Sequence, residues 1–153
     1  MNINAILVAT DFSDCACAAF LAARKLGERF GAKLILVHVI NRRTVERLAE
    51  YLKVPEDSLV PELKERAQQQ LSAFLENCNP GGLEVESMVS VGIPFQEIAV
   101  IARDLLVDLV VLGGYGRGGR GRIEEVFFGS TAEKVVRLLP CPVLCVPLPE
   151  GEK

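Results

Sequence analysis

The chain has 153 residues, 50% apolar and 24% charged, which suits one globular domain with a sizeable core and excludes a disordered chain. Lys and Arg number 17 against 20 Asp and Glu, so the net charge is −3 and the basic excess of a general nucleic-acid coat is missing. The single histidine, His38, excludes a two-histidine metal centre.

The N-terminus has no basic leader, and its apolar stretch ends at Asp11, short of a secretory signal core. No apolar run reaches the roughly 18 residues of a membrane span. A cytoplasmic location is the expectation. Ala5–Thr10 predicts a strand buried on both faces. Ser13 is placed to cap a helix whose stripe Ala16, Ala19, Phe20, Ala23, Leu26 and Phe30 faces inward, and Gly31 stops it. Lys33–Ile40 predicts a second buried strand. The charged segment Asn41–Ser58 carries Val45, Leu48, Ala49 and Leu52 at helical spacing, which predicts a short helix before Pro55. A long helix follows over Leu59–Asn77, with Leu63, Ala67, Leu71, Phe74 and Leu75 inward and Pro61 in its first turn. Asn79-Pro-Gly-Gly82 predicts a turn. Leu83–Val91 is a third strand, and Gly92-Ile-Pro94 leads into a helix with Phe95, Ile98, Ala102 and Leu105 inward. Leu109–Leu112 is a fourth strand, Gly113–Gly121 a glycine-rich loop, and a last helix starts near Ser130. Pro142–Val146 is the fifth strand.

Buried runs alternating with helices predict an α/β fold, a parallel sheet covered on both faces in three layers. Positions 1–153 form a single domain, with Asn41–Ser58 an insertion after strand two. The cysteines are Cys15, Cys17, Cys78, Cys141 and Cys145, an odd count without a C-x-x-C pair. Cys15 and Cys17 point away from each other on one helix. Most of the five are expected to be small buried hydrophobes, and no zinc site is expected.

Ligands of open parallel sheets sit beyond the carboxyl ends of the strands. Thr10-Asp11, His38-Val39 and the glycine loop converge there if the fold is right. The loop reads Gly113-Gly-Tyr-Gly-Arg-Gly-Gly-Arg-Gly-Arg122. Its glycines free backbone N–H groups to face an anion. The helix start at Ser130 adds unpaired N–H groups and a positive dipole end, and Arg117, Arg120 and Arg122 add charge. Together they describe a phosphate cradle; a solvated surface linker is the plainer alternative. Ser130-Thr-Ala-Glu133 also has the form of a capping box, so Ser130 serves helix capping, a ligand, or both. Asp11 is either a helix-start residue or a ligand contact. The turn after strand one holds no glycine, which argues against a Rossmann dehydrogenase, and no Walker P-loop is present.

These residues resemble the universal stress protein family over nearly the whole chain. The likeness is carried by Ala9-Thr-Asp-Phe-Ser13, Leu36-Val-His-Val39, Gly92-Ile-Pro94, and the tail from Val110 to Arg117 with Gly129 to Arg137 and Pro140 to Val146. The resemblance implies a five-stranded parallel sheet in the order 3-2-1-4-5. The family's ATP-binding branch carries Gly-x2-Gly-x9-Gly-Ser/Thr. Here Gly116, Gly119, Gly129 and Ser130 satisfy that spacing, while the strand-anchored register Gly113, Gly116 leaves twelve residues before Gly129. Three extra residues therefore sit in the loop. The resemblance implies a site for adenosine at Ala9, Thr10, Asp11 and Val39. It implies a ribose and phosphate site at Gly113, Gly116, Arg117, Gly119, Gly129, Ser130 and Thr131. The implied cofactor is ATP, with or without Mg, ADP and AMP being alternatives.

The expected function is a cytoplasmic stress-response protein that binds an adenine nucleotide as a regulatory module and is not an enzyme. The alternative is a family member that works through protein contacts without ATP. A homodimer through the last strand is implied by the family and suits an apolar edge. A response-regulator enzyme ranks low, since the phosphoacceptor and lysine positions hold Ser90-Val-Gly92 and Pro147-Leu-Pro149. RNA binding by the short Arg-Gly tract is opposed by Glu124 and Glu125.

Overall fold

The computed structural model describes residues 2–78, 83–114, 130–138 and 140–147. The turn at 79–82 and most of the expected glycine loop lie outside them. The elements are β1 (Ala5–Ala9), α1 (Asp14–Phe30), β2 (Lys33–Asn41), α2 (Arg42–Leu52), α3 (Glu56–Cys78), β3 (Val85–Gly92), α4 (Pro94–Asp104), β4 (Leu109–Gly113), α5 (Ser130–Leu138) and β5 (Val143–Val146). All strand pairings are parallel and the order is β3-β2-β1-β4-β5, as the resemblance implied.

Buried apolar runs put β1, β2 and β4 in the middle of the sheet, because both faces of such strands need cover. Ile6, Leu7 and Val8 of β1 are fully buried. One face packs Ile6, Val8, Leu34, Leu36 and Val111 against Phe20 of α1 and Leu71 and Phe74 of α3. The other packs Leu7, Val37, Val110 and Leu112 against Ile98 and Ile101 of α4 and Val135 of α5. The Asn41–Ser58 segment folds largely as α2, whose Val45 joins Ile40 and Ala67 in a smaller cluster. Asp108, before β4, sets the start of β1: its Oδ2 accepts from the backbone N–H of Asn4 at 2.8 Å and of Ala5 at 3.1 Å. No helix among the described residues is long and apolar enough to cross a membrane.

Several expectations need correction. α3 starts at Glu56, earlier than Leu59, because Glu56 and Asp57 suit a helix's positive end. Pro61 therefore lies in the second turn. Phe30 is 50% exposed, since the last turn of α1 runs past the sheet. Leu105 is the C-cap of α4 and half exposed, so the inward stripe ends at Ala102. Leu52, the last residue of α2, is also exposed. The cysteines depart most. Cys17 and Cys78 form a disulfide between α1 and the end of α3, with Cα atoms 5.9 Å apart. Cys15 is a free, buried thiol, whereas Cys141 and Cys145 are only half-buried.

Candidate functional site

A cleft of about 170 Å³ opens at the carboxyl edge of the sheet. Its floor is the ends of three neighbouring strands: Ala9 of β1, Val37 to Val39 of β2, and Leu112 with Gly113 of β4. Pro94 and Ile98 of α4 form one wall, and Thr131 and Ala132 at the start of α5 form another. β1 is flanked by β2 on one side and β4 on the other, so the chain reverses its direction of winding here. That is where a doubly wound sheet leaves a crevice.

The segment after β1 is built from two overlapping side-chain turns. Thr10 Oγ1 accepts from Phe12 N–H at 2.9 Å, and Asp11 Oδ1 accepts from Ser13 N–H at 3.0 Å. Ser13 then caps α1, its Oγ accepting from Ala16 N–H at 3.2 Å. This tight sequence puts Phe12 at φ 68°, in the left-handed region. Asp11 thus holds a turn with one oxygen, while among the described residues its other oxygen takes no hydrogen bond. Both roles open to it in the sequence are compatible.

His38 sits beneath this segment. Its Nδ1 lies 2.8 Å from Thr10 O; a carbonyl only accepts, so Nδ1 carries the proton. The ring also lies against Phe12, with centroids 4.4 Å apart. Because strand residues alternate in direction, Val37 and Val39 face α4 while His38 faces α1 and α3. His38 acts as a brace for the Thr10 carbonyl.

Gly113 has a packing reason of its own. A Cβ there would lie 2.9 Å from Cys15 Sγ and 3.1 Å from the Cys15 carbonyl carbon and oxygen, so only glycine lets β4 end against the first turn of α1. Cys15 Sγ in turn donates to Val146 O at 3.2 Å, tying α1 to β5. At α5, Glu133 Oε1 accepts from Arg137 one turn on, at 2.9 Å. Lys134 Nζ lies 5.0 Å from the Phe95 ring and links α5 to α4.

Ala9, Thr10, Asp11, Val39, Gly113 and Thr131 therefore line one cleft. Ser130 is the first residue of α5. Gly116, Arg117, Gly119 and Gly129 lie outside the described residues. Sequence reasoning missed Pro94, Ile98 and Ala132 as walls. The Gly92-Ile-Pro94 turn was their only signal, since it delivers α4 to the carboxyl edge.

The Universal stress protein family profile matches residues 2–147. Universal stress protein MJ0577 of Methanocaldococcus jannaschii is 29% identical, with 92% of this chain and 93% of that one covered. The solved MJ0577 structure superposes with a TM-score of 0.80, covering 99% of this chain and 100% of that one. Universal stress protein YxiE of Bacillus subtilis is 33% identical over 94% of this chain and 98% of its own. A universal stress protein from Archaeoglobus fulgidus, solved in complex with dAMP, shares the fold at 22% identity and a TM-score of 0.65, covering 95% of this chain and 99% of that one. With a family match over nearly all of its length, the chain belongs to the universal stress protein family.

Proposed function

We propose that the cleft binds an adenine nucleotide, ATP in the first place, and that the protein acts as a cytoplasmic regulatory module and not as an enzyme. One observation carries the reading: three separate chain segments meet at one crevice with apolar walls, an acidic side chain and a helix start. Val37, Val39, Pro94 and Ile98 offer the flat apolar surface that a purine base needs. Asp11, on the cleft lining, would accept from ribose hydroxyls. The leading N–H groups of α5, with the glycines before it, suit phosphates. The fold is one on which an adenine mononucleotide is held in the Archaeoglobus fulgidus protein. Any Mg would enter with the nucleotide, on its phosphates.

Equilibrium dialysis with labelled ATP, ADP and AMP tests this. Saturable retention is expected; none at millimolar nucleotide rejects it. A bulky residue at Gly129 is expected to abolish retention.

We also propose a homodimer through β5. Its support is that β5 pairs only with β4 among the described strands and exposes Leu144 at the edge of the sheet. Light scattering on a sizing column tests it, and a monomer at micromolar concentration rejects it.

A further inference from the structure

The Cys17–Cys78 bond joins two places that matter to the cleft. Cys17 is in the first turn of α1, immediately after the cleft residue Ala16, and its N–H is held by Ser13 O at 3.1 Å. Cys78 is the last residue of α3. One turn before it, Phe74 meets Phe12 edge-on with ring centroids 6.1 Å apart, and meets Phe20 at 6.0 Å. Phe12 lies on His38, and His38 holds Thr10 O. A chain of direct contacts therefore runs from the disulfide through Phe74, Phe12 and His38 to Thr10 and Asp11. Phe12 is in a left-handed backbone conformation, which a non-glycine residue keeps only while its surroundings hold it.

We propose that Cys17 and Cys78 are a reversible thiol–disulfide switch that sets the rigidity of the Thr10–Asp11 edge of the cleft. Its effect on nucleotide affinity rests on the function proposed above. The two sulfurs differ in access: Cys78 is 4% exposed, whereas Cys17 is only partly buried. A small thiolate attacks Cys17 Sγ, giving a mixed disulfide, and Cys78 leaves as a thiolate and takes a proton. A second small thiol then releases Cys17 as a thiol and departs in a small-molecule disulfide. Two electrons reach the protein pair and two small thiols are oxidised; exchange with a small-molecule disulfide runs the reaction back. Unbonded sulfurs need roughly 1.5 Å more separation than bonded ones. Reduction therefore pushes the end of α3 from α1 and withdraws Phe74 from Phe12.

His38 is the only histidine, so its ring signals in an NMR spectrum need no assignment. They are to be compared between the oxidised protein and the protein reduced with dithiothreitol. Amide exchange at Phe12 and Ser13 and ATP affinity by calorimetry are measured on the same samples. Reduction is expected to shift the His38 signals, raise exchange about tenfold and weaken ATP about fivefold or more. A Cys17→Ser/Cys78→Ser variant is expected to match the reduced protein and ignore dithiothreitol, which separates this pair from the other cysteines. Moved His38 signals and faster exchange with no ATP bound in either state support the switch and reject the nucleotide reading. Unchanged signals and exchange overturn the switch. Moved signals and faster exchange with equal ATP affinity in both states support the switch of rigidity, overturn its effect on nucleotide affinity and leave the nucleotide reading intact.

Discussion

Replacing Gly113 with alanine is expected to lower the melting temperature by several degrees. The new methyl group would stand 2.9 Å from Cys15 Sγ and 3.1 Å from the Cys15 carbonyl carbon and oxygen. Carbon atoms rest about 3.5–4.0 Å from such neighbours, so something must move by several tenths of an ångström. The thiol has little room to swing, since Cys15 is 2% exposed and its Sγ is hydrogen-bonded to Val146 O. The carbonyl belongs to the first turn of α1 and moves only with the helix. Overpacking of this kind costs about 1–3 kcal/mol. For a chain of 153 residues, each kcal/mol is worth roughly 2–4 °C. The expected fall is about 2–12 °C, read by circular dichroism and checked by urea unfolding. A double-mutant cycle with Cys15→Ala isolates the contact, and the Gly113→Ala penalty is expected to shrink by about 0.5 kcal/mol or more in that background. An unchanged melting temperature, or an identical penalty in both backgrounds, would refute the packing account of this glycine and return Gly113 to the ligand alone.

Asp11→Asn keeps an oxygen for the Ser13 N–H and is expected to melt close to the native protein, while Asp11→Ala loses about 1 kcal/mol in urea unfolding. Both are expected to weaken ATP about tenfold by calorimetry, because each removes the charge. Ser13→Ala removes the cap on α1 and is expected to cost about 1 kcal/mol by the same unfolding assay. Gly92→Ala places a Cβ 2.6 Å from Glu97 Cγ and Oε1, a side chain that can swing aside at the loss of its Ser90 hydrogen bond. The expected cost is about 1 kcal/mol, and Gly92→Ala is expected to add little to Glu97→Ala. Burial pushes the Cys141 and Cys145 thiols above the ordinary thiol range. The folded state then keeps their protons where the unfolded chain has lost them, so stability falls as pH rises from about 8 to about 10. A Cys141→Ser/Cys145→Ser variant is expected to show the shallower slope in urea midpoint against pH.

The sheet was legible because Ala5–Ala9, Lys33–Asn41 and Leu109–Gly113 are short apolar runs too continuous for an amphipathic helix. The helix ends were less so. Phe30 and Leu105 fit the helical period, yet period alone does not say where a helix outruns the layer it packs on. The Cys17–Cys78 bond was illegible for a related reason. The two residues are 61 apart, and only the packing of α1 on α3 brings them together. In the cleft, the segments following strands were readable from topology. The walls Ile98 and Ala132 were not, because as ordinary apolar helix residues they carry no mark distinguishing a pocket wall from core. The family likeness pointed to Gly113 as a ligand contact, and the structure adds Cys15 as a second reason for glycine there.

The place of β1 between β2 and β4 bears on how the chain is made. Leu34 and its strand emerge soon after β1, but the partner on the other side begins at Leu109, about 100 residues later. At cellular translation speeds that delay is roughly 5–20 s. Through it, Ile6, Leu7 and Val8 have a row of unsatisfied peptide groups along one flank. The half-made protein is thus a two-sided strand ladder missing its closing rung, and it is in this interval that holding by a chaperone would matter most.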